Sequence, residues 1–317
     1  MIDRTEEEIM REWGVDNSDN PLVSVRCITY NHENYIAQAL DGFLMQKTNF
    51  PFEVIVHDDA STDRTADIVR EYEKKYPKII KAIYQTENQY SKWDGSIGRI
   101  MNAACKGKYI ALCEGDDYWI DENKLQMQVD FLEKNPEYTM CFHSAKIQNE
   151  LDPSYEENIY IGLSDRDYSP TDLFSTWTVP TASVVMRKAC YDYPIRNIDK
   201  FIYGDIRVVE SCAHMGKVRC INKYMSVYRI QSLGLTWDKK RDNQRFLRLP
   251  NHYLAIKENF PLIKKRVIND KIVESYLLCS LKCGTIINKV CWCFQALCIS
   301  PNAVFRNIII YLRRKMC

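Results

Sequence analysis

Apolar runs and stretches of helical period alternate along the first half of the chain. The runs "LVSVRCITY" at 22–30, "FEVIVH" at 52–57, and those at 79–84 and 108–113 are dense in apolar and β-branched residues, as buried strands are. Between them Ile36, Ala39, Leu40, Phe43 and Leu44 recur at helical spacing, and Ile68, Val69, Tyr72 and Tyr76 share one face of a second helix. Residues 124–135 predict another helix, stopped by Pro136, and 140–147 another strand. Near the start, Thr5 and Glu8 have capping-box spacing and predict a short amphipathic helix. Strands alternating with helices imply an α/β fold with a mostly parallel, doubly wound sheet.

Ligands of such sheets bind beyond the carboxyl ends of the strands. Three predicted strands end in polar clusters: Thr29, Tyr30, Asn31 and His32; Asp58 and Asp59; Glu114, Gly115, Asp116 and Asp117. One acidic turn is ordinary helix capping. Three clusters on one edge, two of them acidic, favour a site. The glycine fingerprint of dinucleotide folds is missing after the first strand, and no phosphate-loop motif occurs. Carboxylates at a strand end suit a hard divalent cation that grips phosphate oxygens. Gly115 permits a tight turn and close ligand approach, and Asp58 or Asp59 can accept hydrogen bonds from a nucleobase or a ribose hydroxyl. Together these features describe a site for a metal-bound nucleoside diphosphate.

Composition adds bounds. The 317 residues are 46% hydrophobic and 27% charged, enough for a sizeable core. A net charge of +1 gives no basis for a nucleic-acid partner. Thirteen cysteines behind an acidic start without an apolar signal core point to a reducing compartment. Six of the thirteen fall within 279–317, at spacings that suit zinc poorly, and are read as small apolar residues on helices. His57, His143 and His214 are read as structural, and Tyr118 and Trp119 as shielding the acidic loop or packing beneath it.

The stretches "VSVRCITYNHENYIAQALDGFLMQ", "EVIVHDDASTDRTADIV" and "GKYIALCEGDDYW" resemble, in order and spacing, the family 2 glycosyltransferases of GT-A fold. The resemblance covers roughly 21–235 and divides the chain into an N-terminal helical arm (1–20), a catalytic domain (21–235, with a nucleotide-sugar half to 120 and an acceptor half from 121) and a C-terminal helical region (236–317). It implies a nucleotide-sugar site at Thr29, Tyr30, Asn31, Glu33, Asp58, Asp59, Arg99, Asp116 and Arg229. It further implies a divalent metal, Mn2+ or Mg2+, at Asp117 and Asp116, with Glu114 standing where many members have the first Asp. Asp205 stands at the place of the family's general base, with Gly204 where an acid often precedes it; capping of a helix is the alternative role. Gln231 occupies about the place of a histidine that members often show. Residues 151–178 read as a loop region lining an acceptor groove, and 181–188 as a strand. The implied activity is an inverting transfer from a nucleoside-diphosphate sugar, UDP foremost, to a saccharide or lipid-linked saccharide in cell-surface polysaccharide synthesis. A non-catalytic nucleotide-sugar-binding protein or a structural membrane-associated protein of the same fold is the alternative.

The tail is apolar and aromatic, and it ends in Arg313, Arg314 and Lys315. Lys282, Lys289, Pro301 and Arg306 interrupt it, which excludes a clean spanning helix of ~20 apolar residues. Two readings follow: interfacial helices on the cytoplasmic face of a membrane, or a helical pair packed on the catalytic domain or another subunit. The lipid-linked acceptor implied by the resemblance favours the first.

Overall fold

A computed structural model describes residues 3–14, 20–152, 160, 162–176, 179–231, 242–282 and 285–316. Helix α1 (Glu6–Arg11) carries the predicted capping box: Thr5 Oγ1 accepts from Glu8 N–H at 3.2 Å and Glu8 Oε2 from Thr5 N–H at 2.8 Å. Glu6 turns inward to accept from the N–H groups of Lys78 and Ile79, and Ile9 joins the core, so the arm is fastened to the sheet.

Elements β1 (Val23–Thr29), α2 (Ile36–Leu44), β2 (Phe52–Asp58), α3 (Thr65–Lys75) and β3 (Ile80–Tyr84) follow in the predicted order; α4 (Ser96–Ala104), which the periodicity does not mark, precedes the predicted β4 (Tyr109–Leu112). β1 runs parallel to both β2 and β4, and β2 parallel to β3. The register places Thr29 opposite Asp58, and Gly115 N–H donates to Ile28 O at 2.9 Å. The polar clusters share an edge because these parallel strands end together.

Then come β5 (Tyr118–Trp119), α5 (Lys124–Lys134), β6 (Tyr138–Asn149), α6 (Pro170–Thr176), β7 (Val185–Arg187), α7 (Gly204–Met215) and β8 (Lys217–Ile230). The eight strands form one sheet in the order β3-β2-β1-β4-β7-β6-β8-β5. β7 is antiparallel to β4 and β6, and β5 to β8, while β6 and β8 are parallel. The sheet is thus mixed but mostly parallel. Two expectations change. The strand expected at 181–188 is a 3-10 turn (Thr181–Ser183) followed by the short β7, because Ser183 Oγ turns back to donate to Pro180 O at 2.6 Å. The region read as loop contains α6, whose start is a Ser–Pro–Thr–Asp cap: Ser169 Oγ accepts from Asp172 N–H, and Asp172 accepts from Ser169 N–H.

One apolar cluster packs α2, α3 and α5 on one face of the sheet around Val25, Phe43, Tyr72 and Leu125. A second packs α4 and α7 on the other face around Met101, Ile110, Val209 and Cys212. The C-terminal helices α8 (Asp242–Asn259), α9 (Lys265–Lys282), α10 (Ile286–Ile299) and α11 (Pro301–Met316) build a third, which takes in Phe174 and Phe201 from the sheet domain. Of the tail cysteines, Cys279 is buried, while Cys291, Cys293 and Cys298 lie exposed on α10; Cys283 and Cys317 are outside the described residues. No described helix is long and apolar enough to cross a membrane.

Candidate active site at the strand ends

The turn after β1 is braced against the turn after β2. Asn31 sits in the left-handed region (φ 55°), its N–H donates to Ser61 Oγ, and its Oδ1 accepts from Thr62 N–H at 2.8 Å. Glu33 Oε2 accepts from Arg64 N–H, and Asp63 accepts in return from Glu33 N–H, both at 3.1 Å. These side chains build the turn. Asp59 likewise holds a neighbouring loop, accepting from Gln89 N–H at 2.7 Å and Tyr90 N–H at 3.0 Å. Asp58 Oδ2 accepts from Ser61 N–H at 3.2 Å, but its Oδ1 is buried without a partner. Thr29 Oγ1 and His32 Nδ1 are buried and unpartnered too. Both crowd Gly115: a Cβ there would lie 2.6 Å from Thr29 Oγ1 and 3.0 Å from His32 Nδ1. Unsatisfied buried polar atoms cost about 1–3 kcal/mol each, so three of them at one strand edge mark where a polar ligand belongs. Tyr30 stands at the rim, 39% exposed.

The acidic loop is fixed from β8. Asp117 is buried, and its Oδ1 accepts from Arg229 N–H at 2.8 Å. The Arg229 guanidinium donates to Asp116 O at 2.5 Å and to Gln38 Oε1, and lies over the rings of Tyr35 and Tyr118 at 4.9 and 4.5 Å. Its Nε is 3.6 Å from Glu150, which accepts from Tyr35 OH at 2.7 Å. Asp116 is the half-buried member. Its Oδ2 accepts from Gln231 Nε2 at 3.2 Å and lies 3.8 Å from His32 Nε2. Trp119 packs beneath the loop, edge-on to Phe43 and donating to Ala182 O at 2.8 Å. His57, His143 and His214 are packed side chains, as expected.

Asp205 comes from α7, on the opposite sheet face. The N-cap residue of that helix is Tyr203, and Asp205, in the first turn, accepts only from the adjacent Ile206 N–H at 2.8 Å among the described contacts. The helix therefore does not use it as a cap. Burial holds its carboxyl above the ordinary range. Arg99 is not brought to the cluster: it is exposed and donates to Asp94 O at 2.7 Å. Ser232 and Gly234, which the sequence suggests as a loop over the diphosphate, lie outside the described residues.

Negative charge accumulates where these elements meet. Glu114 is exposed to solvent; the protein around it, and then the charges of Asp116 and Asp205, raise its carboxyl above the ordinary range. Burial and the charge of Asp116 raise Asp117 well above its ordinary value. No three His, Cys, Asp or Glu side chains among the described residues form a ready-made metal cage. The residues fit a divalent cation of the kind that takes one or two carboxylates from the protein and its other oxygens from diphosphate and water. Such a cation would relieve the crowding of Glu114, Asp116 and Asp117.

Sequence reasoning missed Gln38 and Glu150, which carry no local signal and enter only through their long-range contacts with Arg229 and Tyr35. It also missed Arg26 and Arg207. Arg26 did leave a signal, as the single charged residue in the apolar run of β1.

An open, mostly parallel α/β sheet with acids at its strand ends and helices on both faces is the arrangement of the GT-A fold. Residues 24–192, just over half of the chain, match the family model for glycosyl transferase family 2. The chain belongs to that family. An uncharacterised Mycobacterium tuberculosis protein is 36% identical over 241 residues, 74% of this chain and 66% of that protein. The chain thus spans just under two thirds of that relative's length. Escherichia coli WfgD, a UDP-Glc:alpha-D-GlcNAc-diphosphoundecaprenol beta-1,3-glucosyltransferase, is 36% identical over 120 residues, 37% of this chain and 43% of that one. The crystal structure of Staphylococcus aureus TarS 1-349 in complex with UDP-GlcNAc shares the fold, with a TM-score of 0.64 at 16% identity over 89% of this chain and 82% of that chain.

Proposed function

We propose that the chain transfers a sugar from a nucleoside-diphosphate sugar, UDP foremost, to a hydroxyl of a saccharide or lipid-linked saccharide in cell-surface polysaccharide synthesis. The observation that supports the reading is the strand-end edge itself, where Arg229 locks Asp116 and Asp117 beside three buried polar atoms without a partner, Thr29 Oγ1, His32 Nδ1 and Asp58 Oδ1. Thr29, His32 and Asp58 offer the unpartnered atoms for the nucleoside, and Tyr30 a ring at the rim. Asn31, Glu33 and Asp59 act by holding the turns, and Arg229 by locking Asp116 and Asp117 in place. Bound at Asp116 and Asp117, Mn2+ or Mg2+ would offset charge on the departing diphosphate.

The chemistry is a single displacement. Asp205 takes the proton of the acceptor hydroxyl, whose oxygen bonds to the anomeric carbon while the bond from that carbon to the diphosphate oxygen breaks. The nucleoside diphosphate leaves with the electron pair and the configuration inverts. One base suffices, and no second carboxylate is needed as a nucleophile. The test is a panel of UDP-, GDP- and TDP-sugars, with and without Mn2+, read by thermal shift and donor hydrolysis. One donor should raise the melting temperature only with metal, and Asp116→Ala or Asp117→Ala should weaken that donor at least tenfold. Absence of any metal-dependent nucleotide binding would leave the non-catalytic reading in its place.

The same proposal includes attachment to the cytoplasmic face of a membrane. Ile286, Ile287, Val290, Phe294 and Leu297 are 81, 80, 65, 66 and 46% exposed. At about 100° per residue they fall in one stripe of α10, opposite the buried Ala296. Residues 275–317 hold six basic side chains and no acidic one, the charge that suits anionic headgroups. Arg306 is paired with Asp270 and Lys282 lies over Phe246, which leaves Lys289 among the described side chains as a candidate contact. Burying an apolar side chain of this size contributes about 1.5–3 kcal/mol. Ile287→Glu with Phe294→Glu should therefore reduce sedimentation with phosphatidylglycerol vesicles more than tenfold. Equal sedimentation of variant and parent would remove this part of the reading.

A further inference from the structure

The sheet face covered by α4 and α7 holds two guanidinium groups that the displacement described above does not use. Arg26 projects from the middle of β1, and Arg207 from the first turn of α7. Tyr191 joins them: its hydroxyl accepts from Arg26 Nη1 at 2.5 Å, and the Arg26 guanidinium lies 5.7 Å from its ring centre. Arg207 reaches toward α4: a Cβ built at Gly98 would lie 3.6 Å from Arg207 Nη2, an ordinary contact. Among the described residues no carboxylate lies within ion-pair distance of either guanidinium. Arg26 O accepts from Cys113 N–H at 3.2 Å, which sets Arg26 beside the strand end that carries Glu114. The charges that act on Arg207 are those of Tyr191 and the like-charged Arg26, while Asp205 precedes it by two residues in the same turn.

This arrangement is costly. Two half-buried cations stand within each other's field, and burial opposes the charge on Arg207. Arg207 also occupies the first turn of a helix, where the backbone dipole disfavours a cation. Arginine does not shed its proton to relieve such strain. What relieves it is an anion. Two planar forks and a helix N-terminus together are the donor set that recognises carboxylate and phosphate oxygens. Arg26 is hydrogen-bonded to the strand end before Glu114 and Arg207 follows Asp205 by two residues in α7, so the anion they bind is carried by a sugar at the transfer centre.

We propose that Arg26 and Arg207 form an anion subsite beside the transfer centre, selecting a substrate whose sugar bears a carboxylate or phosphate in addition to the donor's diphosphate. This rests on the transferase reading for its meaning, but the pair can be tested without it. The experiment titrates the full chain with inorganic phosphate at constant ionic strength, alone and with UDP and Mn2+ present. UDP, UDP-glucose and UDP-glucuronate are then titrated with Mn2+. The proteins are the parent, Arg26→Gln, Arg207→Gln and Arg207→Lys, with circular dichroism confirming the fold of each.

Phosphate should bind the parent with UDP in place and bind each Gln variant at least tenfold more weakly, with Arg207→Lys between. Arg207→Gln should also melt higher than the parent without phosphate, since a like charge is gone. An acidic donor would show as UDP-glucuronate preferred at least tenfold over UDP-glucose by the parent only. An acidic acceptor would show as equal donor affinities with phosphate binding retained. If phosphate and UDP-glucuronate bind parent and variants alike, or if UDP displaces phosphate, the subsite does not exist as a separate feature. If UDP fails to bind while phosphate still requires both arginines, the donor assignment falls and the anion subsite stands.

Discussion

Replacing Asp205 by Asn is expected to leave donor affinity within about twofold and to lower the transfer rate ~10²–10⁴-fold, the range a positioned general base supplies. The amide keeps the size and one acceptor oxygen, so the contact with Ile206 N–H can persist and α7 need not shift. What is lost is the capacity to take a proton. The loss should fall on kcat rather than on the donor's KM, because the proposed role of Asp205 is to take the acceptor's proton and not to hold the nucleotide. The parent should gain rate with rising pH as its base deprotonates, with the midpoint above the ordinary aspartate range because burial raises that carboxyl. The variant should lack this limb. A tenfold weaker donor with an unchanged rate at saturation would assign Asp205 to donor binding instead. The measurement is product formation at saturating donor across pH 4.5–8, parent against variant.

The strand-end site was legible because parallel strands of one sheet end together. Once the alternation of runs and amphipathic stretches had placed β1, β2 and β4 side by side, their terminal residues had to share an edge. Period and propensity carry no information on which polar side chains face a ligand and which hold the backbone. Asn31, Glu33 and Asp59 read as binding residues in sequence, and the structure adds a second role that sequence did not show: their oxygens accept from Thr62, Arg64, Gln89 and Tyr90. Arg99 shows the same limit, since one turn of helix decides whether it meets the cluster or Asp94. The second half was harder to read. β7 has three residues and α6 seven, too few for a periodic signal, and both are specified by contacts from distant segments. Arg229 was findable by position, but its partners Gln38, Asp116 and Glu150 lie 191, 113 and 79 residues away in sequence. The α10 stripe was visible as an apolar tail; that it faces outward could be learned only from the packing of α9 and Ala296 beneath it.

Lys124 should make the protein less stable at neutral pH than its Lys124→Met variant, with the gap closing as the solution becomes alkaline. The side chain is fully buried at the first position of α5, its Nζ has no hydrogen-bond partner, and the Trp119 ring 4.1 Å away is its chief compensation. Burial pushes it down from 10.5 to about 7, with the thiols of Cys113 and Cys141 opposing weakly. The sign follows from proton counts. Between pH 7 and 10.5 the unfolded chain binds a proton at this lysine that the folded chain does not, so stability from this group rises with pH. Below pH 7 both states are charged and the full penalty persists; above 10.5 neither is and it vanishes. The slope is at most about 1.4 kcal/mol per pH unit. Buried thiols such as Cys27, Cys113, Cys141 and Cys212, held above their ordinary value by burial, act in the opposite direction by ionising only when unfolded. Both proteins share them, so the difference between parent and variant isolates the lysine. Methionine keeps the length and volume of the chain, which limits the packing change. Urea denaturation of both proteins at pH 6.5, 8 and 9.5 measures that difference. A constant difference across the range would show that the ammonium keeps its ordinary pKa in the folded state, and therefore that water or a counter-charge reaches it beneath the acidic loop.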